Sequence, residues 1–229
     1  MNVIDIVIII LLALGFLLGF ARGFTKELVN FLGLFVVLVL SFILKNPISI
    51  FFYKHLPFFN FGGIFKDITV LNILLYEVLA FILVFAVLFV IFKILLLGTK
   101  IFEKILKMTI ILGIPSKILG GILGIVENWV YIFIGLYLLN LPMFNINLIN
   151  GSKVANIIYN HTPILNVVCD KTLSIVGEIN ELKEEYKTTN NTDEFNQKAL
   201  NSMIDTNVIT KENAQYLINK NKIKGVKVD

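Results

Sequence analysis

Cysteine is almost missing from this chain: Cys169 is the single one in 229 residues. That excludes an intramolecular disulfide and any cysteine-based metal cluster. Cys169 itself reads as a small apolar packing residue. Histidine is nearly as scarce. His55 and His161 stand alone, without ligand-like spacing, and each reads as a solvated loop residue. No Gly-rich phosphate loop ending in Lys-Ser/Thr is present, no His-Glu-x-x-His and no Gly-x-Ser-x-Gly. Without a nucleophile, base or metal set, neither an enzyme nor a cofactor is expected. Charge is thin as well, at 16% of residues, against about 25% in soluble domains.

Apolar residues fill the gap. They make up 57% of the chain, and its mean hydropathy is +0.84. They gather in long runs with few charges, the signature of membrane spans. The expected fold is an all-α, four-helix transmembrane bundle, with spans near 3–21, 28–44, 73–97 and 117–139. The first run has no basic segment before it and no A-x-A pattern after it, so it reads as a span and not as a signal peptide. Lys45-Asn46-Pro47 is expected to end the second span, because proline cannot continue a helix. An aromatic-rich loop over 45–69 follows. Lys100, Glu103, Lys104 and Lys107 alternate with apolar residues, which predicts an amphipathic interfacial helix near 99–109.

Two glycine patterns stand out. Gly15, Gly19 and Gly23 recur every four residues at the end of the first span, and Gly120 and Gly124 repeat the spacing in the fourth. On a helix such glycines share one stripe and let another helix approach closely. They are the expected helix-packing residues. Arg22 and Lys26 mark the boundary where the apolar run meets charge. Glu127 lies about ten residues into its span, on the same face as Gly120 and Gly124, with Asn128 beside it. A charge at that depth is costly and faces protein or water, so Glu127 is the best candidate functional residue, with Asn128 its companion. Asp5 and Glu77 lie near span ends, within reach of headgroups. Lys93 can snorkel.

Beyond residue 139 the membrane signal stops. A polar loop and an amphipathic tail helix fill 140–187. Leu165, Val168, Thr172, Ile175, Ile179, Leu182 and Tyr186 form a heptad seam there, for self-association or for docking on the chain's own membrane part. Residues 188–229 read as a polar linker and a small helical hairpin. It buries Phe195, Ala199, Leu200, Met203 and Ile204 in one arm and Ala214, Leu217 and Ile218 in the other. It is too small to stand alone. The expected partners are the lipid bilayer and a second copy or another membrane protein.

Ten Lys/Arg and six Asp/Glu fall in 1–139, and ten of each in 140–229. The basic excess is thus orientation charge and not a nucleic-acid footprint. It sits mainly at 22–27 and 98–117, which places both termini outside the cytoplasm.

The chain resembles the colicin V production protein family, the CvpA-type membrane proteins. The resemblance rests on Asp5-Ile-x-Ile opening the first run, Gly15, Gly19, Arg22-Gly23-Phe24, Lys26-Glu27 and Leu119-Gly120-x-x-x-Gly124. It covers residues 1 to about 165. The chain departs from the family pattern at Glu127-Asn128, where members often carry a basic residue and a glycine. The resemblance implies a multi-pass inner (cytoplasmic) membrane protein, a non-enzymatic accessory in production or export of a peptide toxin or in envelope assembly. Glu127 and Asn128 in a Gly-rich helix suggest the alternative, a small oligomeric channel or permeation unit.

Overall fold

In lipid the backbone has no partner but itself, and the apolar runs of this chain answer with helix. The computed structural model describes residues 2–98, 113–141, 151–160 and 162–228. The helices are α1 (Val3–Arg22), α2 (Phe24–His55), α3 (Leu71–Gly98), α4 (Gly113–Leu139), α5 (Lys153–Asn160), α6 (Pro163–Thr189), α7 (Thr192–Asp205) and α8 (Lys211–Asn219). No strand occurs among the described residues. Four helices are long and apolar enough to cross a membrane, over Val3–Arg22, Phe24–His55, Leu71–Leu97 and Gly113–Leu139. The expected all-helical membrane fold is the one observed. Leu17, Ile43, Ile94 and Ile122 point outward, half or more exposed, a surface suited to lipid and not to water. The interfacial helix expected near 99–109 falls outside the described residues.

The second span is longer than the 28–44 expected. It starts at Phe24, after a one-residue break at Gly23, whose φ of +79° excludes most side chains. It also continues through Pro47 to His55. Proline removes one helical hydrogen bond, a loss that packed membrane helices tolerate. The reason lies in tertiary packing. Lys45, Ser49 and Tyr53, spaced four apart on one face, are all buried, and that stripe carries the helix past the proline.

The chain forms two compact units. One comprises Met1–Ser41, Phe85–Asn140 and Ile146–Thr162; the other comprises Phe42–Val84, Leu141–Asn145 and Pro163–Asp229.

In the first unit α1 packs along α4, and the two run antiparallel. A Cβ at Gly15 would lie 2.6 Å from the Gly124 carbonyl oxygen, and one at Gly120 would lie 2.5 Å from that of Gly19. Backbone therefore meets backbone along this seam, the close approach that drives association in lipid. Trp129 of α4 donates to the Thr162 hydroxyl at 2.9 Å.

In the second unit the tail helices α6, α7 and α8 join the connection between α2 and α3. Ile175 and Ile179, midway along the expected seam, are fully buried within the chain. The side chains of Leu165, Val168 and Thr172 fall outside what is described. Phe195, Ala199, Leu200, Met203, Ala214 and Leu217 are buried, while Ile204 and Ile218 are half-buried. Asn191 caps α7 by accepting from the Glu194 amide, and Thr210 caps α8 by accepting from that of Asn213. The docking is polar as well as apolar. Lys222 donates to the carbonyls of Tyr53, Lys54 and Leu56, at 2.9, 2.7 and 3.0 Å. These oxygens lie at and just beyond the C-terminal end of α2, where a helix has unpaired acceptors. Burial pushes the Lys222 ammonium below the ordinary lysine pKa. The Lys224 amide donates to the Thr69 hydroxyl at 3.2 Å, and the Phe65 ring meets that of Phe195 edge-on.

Candidate functional site

The glycine seam fixes where the charges of the first unit meet. Side chains on a helix tilt toward its N-terminus. On antiparallel α1 and α4, Arg22 and Glu127 therefore lean toward each other from opposite ends. Arg22 Nη1 comes within 4.0 Å of Glu127 Oε2 and donates to Glu27 Oε2 at 3.3 Å. Glu27 reaches the same point from the first turn of α2, placed there by the break at Gly23. The Glu27 and Glu127 carboxyls thus stand on either side of one guanidinium nitrogen. The Tyr131 hydroxyl, one turn beyond Glu127, donates to Glu127 Oε1 at 3.0 Å. Lys93 of α3 faces the same acids and donates to Asn30 Oδ1 at 3.1 Å. Four helices thus bring two acids and two bases to one place. Glu27 is 1% exposed and Glu127 5%; the Arg22 side chain, at 41%, still reaches outward.

Glu127 faces protein, not lipid. Its Oε2 is buried and receives no hydrogen bond. Asn128 turns elsewhere: its amide donates to the Gly124 carbonyl at 3.1 Å and lies against Gly15. Lys26 stands half-buried on the same turn as Glu27. Gly23 is the hinge after α1 and lies outside the helix, though its backbone still touches Gly120. A cleft of about 390 Å³ runs beside α1 and α4, floored by Ile8, Ile132 and Leu136. Asn128 and Tyr131 are its polar lining residues.

Two further polar clusters escaped the sequence reading. In the second unit Glu77, read as reaching headgroups, is buried and bound by Lys45 and by the Ser49 hydroxyl. Such a pair offsets the cost of two charges in an apolar surround only with good geometry and added hydrogen bonds, and Ser49 supplies one. In the first unit Asp5 is buried as well. It accepts from the Ser152 hydroxyl, from the Val154 amide at 3.1 Å and from the Asn2 amide at 2.8 Å. Its carboxylate thereby caps the N-terminus of α5, where the helix dipole favours a negative charge. The signal that finds these clusters is the occurrence of Asp5, Lys45 and Glu77 beside or within apolar runs, since such charges seek partners. Among the described residues no three His, Cys, Asp or Glu side chains gather as a metal-ligand set.

The family model described as Colicin V production protein matches residues 4–163. The chain is similar to the uncharacterized transmembrane protein YshB of Bacillus subtilis (strain 168). The two are 34% identical over 180 residues, covering 71% of this chain and 92% of YshB. No solved structure matches.

Proposed function

The chain belongs to the colicin V production protein family, and we propose that it is a non-enzymatic accessory in the production or export of a colicin V-like peptide toxin. Its place is the inner (cytoplasmic) membrane, with both termini outside the cytoplasm. Envelope assembly is the broader form of the same role. The observation that supports an accessory over a catalyst is the way the buried charges are spent. Arg22 binds Glu27, Lys45 binds Glu77 and Asp5 caps α5. These groups hold helices to one another, and no reactive side chain is presented to a substrate by them. The membrane face is left apolar for lipid and for a partner, either a second copy or another membrane protein.

The test is complementation of a toxin-producing strain that lacks its own family member. Expression of this chain is expected to restore secreted toxin activity without changing toxin synthesis. Unchanged secretion, with the chain present in the membrane, would overturn the reading.

A second reading, a small oligomeric channel or permeation unit, is favoured by one observation. Glu127 Oε2 has no donor, and Tyr131 joins Glu127 to the open cleft. Ion flux through the purified protein in vesicles separates the two readings: a channel conducts and an accessory does not.

A further inference from the structure

We propose that Glu27 and Glu127 together form a proton-binding site where α1, α2, α3 and α4 meet, holding one exchangeable proton between their carboxyl groups. The argument is an accounting of donors. Glu127 Oε1 receives the Tyr131 hydroxyl proton. Glu127 Oε2 is buried and receives none. Arg22 Nη1, at 4.0 Å, is too far to donate to it and is already committed to Glu27 Oε2 at 3.3 Å. Lys93 donates a hydrogen bond to Asn30 Oδ1. Those two distances from one nitrogen place the Glu27 carboxyl next to that of Glu127. An ionised carboxylate only accepts hydrogen bonds. Two ionised carboxylates would therefore face each other with an empty acceptor between them. A like charge so near disfavours ionisation of the second carboxyl.

One proton removes both difficulties. A carboxylic acid donates through its O–H, so protonating either Glu supplies the missing donor and cancels the repulsion. The proton then belongs to the pair and not to one residue. The groups that face it are Arg22 from α1, Glu27 and Asn30 from α2, Lys93 from α3, and Glu127 and Tyr131 from α4. The site also has two outlets, which make the proton exchangeable. Arg22 is 41% exposed on one side. Tyr131 touches Glu127 and lines the cleft on the other. The site goes beyond the accessory role and stands or falls independently of it.

The experiment is infrared spectroscopy of the full chain in nanodiscs, titrated with base in H2O and in D2O. The expected wild-type spectrum has a protonated-carboxyl band at neutral pH that shifts in D2O and corresponds to one proton per chain. Glu27→Gln and Glu127→Gln are each expected to abolish that band, because the remaining carboxylate has Arg22 nearby and no acidic neighbour. Glu212→Gln, which alters an exposed carboxylate on α8, is expected to keep it. A wild-type spectrum without such a band overturns the proposal, whether or not either glutamine variant folds. A band that survives both substitutions, or that Glu212→Gln removes, overturns it too. The readout is spectroscopic, so a failure to restore toxin secretion leaves this result unaffected.

Discussion

Gly124 and Gly135 sit on the same helix, three turns apart, and alanine should act on them with opposite sign. At Gly124 a Cβ would run into the Gly15 carbonyl and lie 3.0 Å from Gly19 Cα. Those obstacles are backbone, so no rotamer change relieves them; the two helices must separate. At Gly135 nothing lies within 4 Å of the new Cβ. Replacing a helical glycine by alanine gains about 0.5–1 kcal/mol where the space is free. Overpacking a tight contact costs about 1–3 kcal/mol. Gly124→Ala is therefore expected to lose on the order of 1–2 kcal/mol, the overpacking cost less the helix gain, and Gly135→Ala to gain up to about 1 kcal/mol from the helix term alone. The assay is unfolding in mixed micelles by SDS titration. Trp129, the chain's single tryptophan, lies on α4 between the two sites and reports it. A shift of the same sign for both variants would refute the idea that α1 and α4 meet backbone to backbone.

Two other outcomes follow from the second unit. Lys45→Met and Glu77→Met should each destabilise by roughly 3–5 kcal/mol, because each strands a buried partner, whereas the two together should recover most of the loss; a double-mutant cycle by SDS unfolding measures it, and additive losses would mean the two side chains do not interact. Lys222→Ala removes three hydrogen bonds to the end of α2 and should weaken tail docking by about 1–2 kcal/mol. Faster proteolysis between α7 and the C-terminus would show this, and an unchanged cleavage rate would mean that apolar packing alone holds the tail.

The four spans were legible because lipid imposes one rule on every residue of a run. Where a local rule competed with packing, packing won. Pro47 looks like a stop from its neighbours alone, but the buried stripe of Lys45, Ser49 and Tyr53 makes the longer helix worthwhile. Depth also has limits as a guide to burial. It correctly sets Glu127 against protein, since no headgroup lies within reach. It fails for Asp5 and Glu77, because a charge near a span end can be covered by the chain itself. Asp5 is covered by a turn of α5 that lies about 150 residues away in sequence. Nothing in spacing along the chain joins such residues. The same is true of the candidate site. Arg22 reads as a boundary charge and Lys93 as a snorkelling one while each is considered on its own helix. Only the antiparallel seam of glycines shows that Arg22 points back toward Glu127.

The sidedness of the chain turns on which basic residues count as loop charges. Four crossings put the N-terminus, the connection after α2 and everything after α4 on one face by parity alone. Two contacts agree, each within its own unit. Asp5 caps α5, and the tail holds Thr69 and the end of α2. The segments expected on the cytoplasmic side, 22–27 and 98–117, hold Arg22, Lys26, Lys100, Lys104, Lys107 and Lys117. Against these six stand Lys45, Lys54 and Lys66 between α2 and α3. Lys45 drops out, since it is buried against Glu77 and is not a loop charge. The difference thus widens to six against two, and the positive-inside rule counts such short-loop Lys and Arg. A phosphatase that works only outside the cytoplasm should therefore be active when fused after residue 229. A fluorescent protein that matures only inside should light up when inserted between residues 99 and 112. The reverse pattern would place the six-lysine-and-arginine face outside, and the orientation would then be set by something other than these charges.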